Sequence, residues 1–342
     1  MKYTNITVIC LALSLSLVQQ VCADEATLSL VELTDKPVIQ KGSPGTEDNK
    51  YGFEGGSVIK LDGTYHLFTA EMVGDPFWIK MKLAHWTSSD GFVWTRQGTI
   101  NEGSGDRTGK DPRSNLWAPM PIFNEAKDRW ELFYVAYHSG GKGSFWDGRI
   151  WRAESVQPGR KGISGPWKDR GIALEPGPNS QPWEGSQGTD SFYPFHNGEK
   201  WIGFYGSSPQ GFPWQVGLAE ADKLEGPWKR RSGNPALSGH PDIENPIVTK
   251  IADGLYIAVF DQIRPSNVIG YVVSKDGITW SKPKQLRIES KTCGDIRTPL
   301  GLVHERDGTF TVFFTGRAAN DKYWCLWRMR VKANPGSASG KN

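Results

Sequence analysis

The sequence predicts an all-β fold, a five-bladed β-propeller with four-stranded antiparallel blades. Three observations support this prediction. Gly (40 residues) and Pro (22) are abundant in a chain of 342 residues, which favours turns over helices. Short apolar runs alternate with Asp-Gly or Asn-Gly pairs, a strong hairpin signal, from about residue 52 to 331. Related motifs also recur at intervals of roughly 50 to 70 residues.

Two pairs of motifs mark the outer hairpins of these repeats. Ser-x-Asp-Gly-x-x-Trp occurs at 88–94 and again at 274–280, and Gly-Pro-Trp occurs at 165–167 and 226–228. Each motif combines a turn with a Trp residue, whose large ring buries much apolar surface. We therefore expect these rings to pack between neighbouring sheets.

A second series of motifs marks the start of the innermost strand in each repeat. Its members lie at 53–55, 116–119, 189–191, 243–246 and 296–299. Five such marks predict five blades, each a four-stranded sheet. The fifth repeat ends near Val331, one strand short, and a strand-like segment at 26–33 precedes the first repeat. We expect this N-terminal strand to become the outermost strand of blade five and to close the ring.

The N-terminus has the pattern of a signal peptide, residues 1–23. Lys2 precedes an apolar run at 6–18, and small residues lead up to a cleavage position after Ala23. The run is too short to span a membrane, and no other run in the sequence approaches that length. We therefore expect a secreted or periplasmic protein without a membrane partner. It would have one propeller domain at 24–333 and a polar tail at 334–342.

Charge and cysteine content narrow the function further. A formal net charge of +3, from 40 basic and 37 acidic residues, gives no basis for nucleic-acid binding.

Cys10 and Cys22 would leave with the signal peptide, while Cys293 and Cys325 could form a disulfide or remain buried free thiols. No phosphate-binding loop, nucleophile elbow or paired-His metal motif occurs in the sequence. We expect a monomer that requires no cofactor, although a structural cation on the propeller axis is compatible with the fold.

The repeats bring charged residues to one mouth of the predicted ring. The innermost strands of a propeller surround its central channel, so Glu54, Asp190, Glu244 and Arg297 should converge there. Neighbouring carboxylates raise one another's pKa. Glycoside cleavage needs such a set, because a protonated acid serves the leaving oxygen while an ionised carboxylate acts on the opposite face. The sequence therefore predicts a glycosidase site.

The motifs also resemble those of glycoside hydrolase family 43 and its five-bladed relatives. The resemblance rests on Trp-Ala-Pro at 117–119, Thr-Asp-Ser-Phe-Tyr-Pro at 189–194, Ile-Glu-Asn-Pro at 243–246 and the outer-hairpin turns. It covers nearly the whole mature chain at the level of architecture. That family carries a general base in blade one, an orienting and tuning Asp in blade three and a general acid in blade four.

By this resemblance, Glu54 is the general base, Asp190 tunes the acid, and Glu244 is the general acid. Two positions depart from the family pattern. Glu54 stands where the family has Asp, so its carboxylate reaches one methylene further, which leaves the base assignment and the stereochemical outcome open. Met120 stands where Asp often follows Trp-Ala-Pro, which indicates a changed subsite. We expect a distant or separate family on the same fold.

Other residues are expected to contact a sugar substrate, because they stand where strands or loops return toward the mouth. They are Arg297, Trp117, Glu71, Asp75, His85 and Asp261. Four further Trp residues lie in Gly- and Pro-rich connections, where we expect one or two of them to stack on sugar. They are Trp78, Trp146, Trp183 and Trp214.

Together these observations predict a glycoside hydrolase that acts on an oligosaccharide or polysaccharide, with inversion favoured. Long connections at 75–81, 101–113, 139–149 and 175–188 could wall off a pocket, which predicts exo action. A non-catalytic carbohydrate-binding propeller is an open alternative. A lyase acting on uronic-acid glycans, in which Arg297 would neutralise a substrate carboxylate, is a less favoured one.

Overall fold

The computed structural model describes residues 26–141, 144–209, 213–237, 242–262 and 267–334. The predicted signal peptide and nearly all of the predicted tail lie outside these residues. The described chain contains β-strands and one short 3₁₀ helix, Arg160–Ser164. The strands are β1 (Thr27–Leu33), β2 (Gly52–Leu61), β3 (Thr64–Met72), β4 (Met81–Ser88), β5 (Thr95–Glu102), β6 (Asn115–Asn124), β7 (Arg129–His138), β8 (Trp146–Ser155), β9 (Trp167–Leu174), β10 (Asp190–His196), β11 (Trp201–Ser207), β12 (Gln215–Ala221), β13 (Lys229–Arg230), β14 (Ile243–Ala252), β15 (Leu255–Gln262), β16 (Val268–Ser274), β17 (Lys284–Arg287), β18 (Cys293–His304), β19 (Phe310–Ala318) and β20 (Trp324–Asn334).

The strands pair in chain order to form antiparallel sheets. Three sheets have four strands each, β6–β9, β10–β13 and β14–β17. Strands β2–β5 pair in the same way, and β2 also meets β20 in a parallel pair of Gly52 with Trp324. Strands β18–β20 follow the same order, and β1 pairs antiparallel with β20. The predicted all-β architecture of four-stranded antiparallel sheets is confirmed.

Burial falls from the middle strands of each sheet to the outer ones. Strands β3, β7, β11, β15 and β19 are buried along nearly their whole length, which requires protein on both faces. The outer strands β5, β9 and β17 consist mainly of partly or fully exposed residues, with single buried residues at Leu174 and Leu286. This gradient is typical of sheets that stand side by side around an axis and present their last strands to solvent.

The Trp residue of each outer-hairpin motif packs against the neighbouring sheet, as predicted. The ring of Trp94 lies edge to face with that of Phe313, at 5.2 Å between centroids, and Trp228 lies likewise 6.4 Å from Phe133. The remaining two contacts are Trp167 with Phe68 and Trp280 with Phe204. These edge-to-face and tilted contacts are favourable aromatic geometries, and they seal the seams between sheets.

The two cysteines of the described chain are not bonded to each other. Cys293 and Cys325 are free thiols and both are buried, and burial raises the pKa of each to about 12. The structure therefore has free thiols where the sequence left a disulfide open.

Among the described residues, no helix is long and apolar enough to cross a membrane.

The first strand of each series, β2, β6, β10, β14 and β18, is interrupted near its start by a break in pairing register. The breaks lie between Glu54 and Gly56, Trp117 and Met120, Asp190 and Tyr193, Glu244 and Ile247, and Ile296 and Pro299. Such β-bulges bend a strand and redirect its side chains, and they occur next to active sites. Here they coincide with the residues that the sequence places at the mouth.

Candidate active site

The bulges at the strand starts place backbone in the left-handed region at equivalent positions. The φ angles are 62° at Gly55, 47° at Ala118, 48° at Ser191 and 53° at Asn245. This conformation costs free energy for residues other than Gly, and it clusters at functional sites. Each of these residues directly follows a residue predicted to face the mouth, so the strained backbone turns Glu54, Trp117, Asp190 and Glu244 toward the centre.

Arg297 lies at the centre of the predicted charge cluster and binds carboxylates with all three guanidinium nitrogens. Its Nε lies 3.3 Å from Oε1 of Glu54, its Nη2 lies 2.9 Å from Oε2 of Glu244, and its Nη1 lies 2.8 Å from Oδ2 of Asp261. Thr298 donates a hydrogen bond to Oε1 of Glu54 at 2.9 Å. The rigid, planar fork of the guanidinium therefore fixes the three carboxylates relative to one another.

Asp190 completes the acidic side of the cluster from the neighbouring sheet. Its side chain is buried, and Ser191, the next residue, donates a hydrogen bond to Oδ1 of Asn245 at 2.5 Å. Asn245 in turn directly follows Glu244. The Ser191–Asn245 contact therefore connects the strand that carries Asp190 to the strand that carries Glu244.

Burial sets the protonation of these carboxyl groups. Burial is the main cause that raises the pKa of Glu244 to about 8. The negative charges of Asp261, Asp190 and Glu54 raise the pKa further, and together with burial they outweigh the opposing charge of Arg297. Burial also raises the pKa of Glu54, Asp190 and Asp261. Four carboxyl groups thus share one guanidinium, and burial favours the protonated form of each.

Glu54, Asp190, Glu244 and Arg297 line a pocket with a volume of about 480 Å³, within the usual range for small-molecule sites. The small residues with left-handed backbone form part of its lining beside Glu54, Asp190, Glu244 and Arg297. Its walls are mainly aromatic. The wall rings belong to Trp78, Trp117, Tyr137, Phe145, Trp214 and Trp324. Flat apolar walls above hydrogen-bonding groups suit a ligand with an apolar face and polar edges.

The structure brings together most of the residues that the sequence selected. Glu54, Asp190, Glu244, Arg297 and Trp117 all line the pocket. Asp261 lies just beyond the lining, where it is 1% exposed and holds Arg297. Its position makes it a partner of Arg297 instead of the predicted sugar contact.

The four loop Trp residues divide into two pairs. Trp78 and Trp214 line the pocket, in keeping with the expectation that one or two of the four would face a sugar. Trp146 stacks on His138 with the ring centroids 4.4 Å apart, and Trp183 packs on Tyr205 at 5.4 Å. The second pair therefore packs within the protein.

The structure places Glu71 away from the pocket, contrary to prediction. Glu71 pairs with Phe53 on the adjacent strand, whereas Glu54 pairs with Ala70, and successive side chains of a strand point to opposite faces. The Glu71 carboxylate instead accepts hydrogen bonds from Trp86 Nε1 at 2.9 Å and from Arg96. Glu71 is a structural residue of the sheet, not a contact of the pocket.

Asp75 and His85, which the sequence predicted to contact sugar, both lie outside the pocket lining. The Asp75 side chain is 66% exposed and bonds to Lys50 and to the Tyr51 hydroxyl outside the lining. His85 stands in the middle of β4, stacked on Phe68 with the centroids 4.6 Å apart, and is buried. Burial lowers the pKa of His85 to about 3, so its ring stays neutral. A mid-strand position keeps it far from the strand ends that form the mouth.

Several pocket residues escaped the sequence analysis. Ser191 and Asn245 could have been found, because each directly follows a predicted carboxylate within its motif. Tyr137, Gln187 and Phe145 come from the end of a second strand and from loops, where no motif marks them. Within the described residues, no group of three or more His, Cys, Asp or Glu side chains is arranged to hold a metal ion.

Comparison with known proteins shows similarity in structure but not in sequence. No family model matches the sequence, and no curated protein sequence matches it. A family 117 glycoside hydrolase of the marine bacterium Zobellia galactanivorans has a similar structure, with a TM-score of 0.62, 13% identity and 92% of each chain covered. An endo-arabinase of Bacteroides thetaiotaomicron gives a TM-score of 0.55 at 13% identity, covering 86% of this chain and 98% of the arabinase.

A β-1,3-galactosidase of glycoside hydrolase family 43 is also similar, with a TM-score of 0.58 at 15% identity, over 88% of this chain and 60% of that one. At such low identity these likenesses concern the fold. The fold is therefore one that glycoside hydrolases of families 43 and 117 also have, in agreement with the family resemblance of the sequence motifs.

Proposed function

We propose that the protein is a glycoside hydrolase that removes a terminal sugar from an oligosaccharide or polysaccharide. The observation that carries the proposal is the set of four buried carboxyl groups around one guanidinium at an aromatic pocket. Such an excess of buried acid is unfavourable for stability alone, and strongly perturbed groups in a cleft point to function. The shared fold of known glycoside hydrolases supports the same conclusion.

In the proposed mechanism Glu244 is the general acid. Its pKa of about 8 keeps it protonated at neutral pH, so it can donate a proton to the glycosidic oxygen as the bond breaks. Asp190 supports this role, because its negative charge disfavours ionisation of Glu244. Asp261 acts indirectly by holding the guanidinium of Arg297.

Glu54 is the proposed general base. Burial raises its pKa, and the hydrogen bonds that its Oε1 accepts from Arg297 and Thr298 oppose this effect by favouring the ionised form. Its buried Oε2 has no hydrogen-bond partner within the described residues. This oxygen is available to take a proton from an attacking water. A general base acting on water gives inversion at the anomeric carbon, and the first anomer detected by proton NMR tests that outcome.

Exo action is proposed from the shape of the site. Three of the four long connections contribute to the pocket lining, through Trp78, Phe145 and Gln187. The connection at 101–113 does not contribute a lining residue.

We take the ring to have five blades. The Gly52–Trp324 pair joins β2–β5 to β18–β20 and β1 as one eight-stranded sheet, which we divide at that pair into two blades, with β1 closing the last one.

The charge of the pocket gives less support to a polysaccharide lyase. Arg297 is the one cationic side chain in the described lining, and three carboxylates already bind it. A uronate substrate would need a cation that is free to bind its carboxylate. A hydrolase that acts on an uncharged terminal sugar needs none.

The decisive experiment is sugar release by protein 24–342 from a broad panel of oligosaccharides, including those of arabinose and galactose. We expect release of a monosaccharide, and loss of release in Glu244→Gln. Binding of an oligosaccharide without release by the wild-type protein would replace the proposal with a carbohydrate-binding module. An unsaturated product that absorbs in the ultraviolet would identify a lyase.

We also propose that the protein is exported after removal of residues 1–23. The proposal rests on the signal-peptide pattern of the sequence. N-terminal sequencing of the exported protein should give Asp24 as the first residue. A mature protein that retains Lys2 would contradict it.

A further inference from the structure

The connection between β3 and β4 carries two adjacent aromatic rings, one inside the pocket and one outside it. Trp78 lines the pocket, and Phe77 is 42% exposed. The φ angle of Trp78 is 64°, a left-handed conformation that bulky residues rarely adopt. Backbone strain of this kind persists where surrounding contacts enforce it, and it often marks a ligand site.

The two rings belong to a continuous row of aromatic contacts that leads out of the pocket. Phe77 stacks on Trp78 with the centroids 4.7 Å apart and the planes 27° apart. Inside the pocket, Trp78 meets Trp117 at 6.3 Å and Phe145 at 6.4 Å. On the outer side, Phe77 meets the edge of Tyr51 at 4.9 Å. The pocket wall therefore continues to the surface as aromatic rings.

Polar groups flank the outer end of this row. The Tyr51 hydroxyl donates a hydrogen bond to Oδ1 of Asp75 at 2.5 Å, and Lys50 bonds to Oδ2 of the same carboxylate. The Asp75 side chain is 66% exposed and the Lys50 side chain 49%. An exposed flat ring beside an accessible carboxylate and ammonium group offers both an apolar face for sugar C–H groups and partners for sugar hydroxyls.

A second exposed Phe residue shows what is particular about Phe77. Phe92, in an outer hairpin, is 46% exposed, but its ring is covered by the guanidinium of Arg328 at 4.3 Å and is not part of the pocket lining. Single exposed hydrophobic residues are common and need no ligand. Phe77 differs because it extends the wall of a pocket.

We propose that Phe77 and Asp75 form a second sugar subsite, just outside the pocket, that binds the residue next to the terminal sugar. The proposal rests on the proposed glycosidase function and deepens it. The substrate would be an oligosaccharide or polysaccharide chain, with the terminal sugar in the pocket and its neighbour stacked on Phe77. A glycoside with a small non-sugar leaving group would use the pocket alone.

The test is calorimetric binding in the Glu244→Gln background, which prevents turnover. The probes are galactose, galactobiose and galactotriose, and the corresponding arabinose series. We expect at least one disaccharide to bind more tightly than its monosaccharide. Phe77→Ala should weaken disaccharide binding by about tenfold, the scale of a lost aromatic contact, and change monosaccharide binding by less than about twofold.

The matched control is Phe92→Ala, which should leave the affinity for every probe unchanged. Asp75→Asn is a second variant that alters only an exposed side chain, and it should also weaken disaccharide binding selectively. Equal losses for mono- and disaccharides in Phe77→Ala would overturn the subsite. So would the absence of any preference for the longer probes in both series.

The subsite and the glycosidase function can fail separately. Disaccharide binding that depends on Phe77, without sugar release by the wild-type protein, would support the subsite and contradict the hydrolase. Sugar release with affinities that do not depend on Phe77 would support the hydrolase and contradict the subsite.

Discussion

Two buried carboxylate sites in this molecule are built on opposite principles. Glu71 has one cation, Arg96, whose Nε and Nη2 lie 3.1 and 2.8 Å from its oxygens, and one further donor, Trp86. In the pocket, one cation, Arg297, serves three carboxylates, with Asp190 adding a fourth carboxyl group nearby. The first site is balanced in charge and the second is not.

The difference shows how a buried acid becomes chemically useful. A balanced buried pair keeps both partners ionised and contributes to the rigidity of the fold. An excess of buried carboxyl groups cannot all be ionised, so the cluster retains a proton that a substrate can receive. We therefore expect substitutions at Glu71 to affect stability and substitutions at Glu244 to affect activity.

The strongest test makes the same substitution, Glu to Gln, at both sites. Glu244→Gln should lower kcat by about 10²–10⁴-fold, the usual contribution of general acid catalysis. Its stability at pH 7 should change little, because an amide replaces a carboxyl group that is already uncharged. Glu71→Gln should instead lower the free energy of unfolding by about 1–3 kcal/mol, because it removes the carboxylate to which the partly buried Arg96 is hydrogen-bonded.

Steady-state kinetics and urea unfolding at pH 7 would measure both effects on the two variants. The contrast between the two sites would be wrong if the Glu71→Gln protein were folded and as stable as wild type but inactive. It also fails if Glu244→Gln keeps wild-type kcat.

Removal of the two cations should also have different consequences. Arg297→Met leaves four carboxyl groups without a cation, which raises their pKa further and removes the contact that orients Glu54 and Glu244. We expect activity to be lost, and the stability deficit relative to wild type to grow as pH rises from 5 to 8. Arg96→Met leaves one carboxylate and should retain activity at temperatures where the variant is folded.

Urea unfolding of both variants at pH 5 and pH 8 would check this expectation. A deficit for Arg297→Met that is the same at both pH values would show that the guanidinium acts through packing and not through charge.

The pH dependence of the wild-type protein follows from the pKa of Glu244. Its pKa is raised to about 8 in the folded state from an ordinary value of 4.5, so the folded protein binds the extra proton between these values. The resulting stabilisation is fully present below pH 4.5 and is lost as pH rises through about 8. Activity should fall over the same upper range, because the general acid loses its proton.

A series of urea unfolding curves from pH 4.5 to 9 would measure the slope, and pH–rate profiles would measure the loss of activity. Glu244→Gln should show a shallower decline in stability over this range. An identical decline in the variant would assign the proton to another group of the cluster.

The sequence could predict much of this site because repetition identified equivalent positions. Glu54, Asp190 and Glu244 stand at the same point of the first, third and fourth repeats, so their convergence follows from the fold alone. The error at Glu71 has a physical origin in strand alternation, because Glu71 pairs with Phe53 and therefore points to the face opposite that of Ala70 and Glu54. Tyr137 escaped notice because it stands near the end of β7, outside the repeated motifs.

The smallest predicted effect concerns the link between the two acid-bearing strands. Ser191 donates a hydrogen bond to Asn245, and Ser191→Ala would leave the buried amide oxygen of Asn245 without that partner. We expect a cost of about 1 kcal/mol in unfolding free energy and a fall of a few-fold in kcat/KM, because Asp190 and Glu244 are no longer tied to each other. Asn245→Ala removes the acceptor of the same hydrogen bond and is the matched variant, because a β-branched Thr at position 191 would be strained at its φ angle of 48°. A shift of the upper pH limit of activity of the same size in Ser191→Ala and in Asn245→Ala would show that the contact tunes the acid. A loss of stability without such a shift would place Ser191 with Glu71, among the residues that serve the fold.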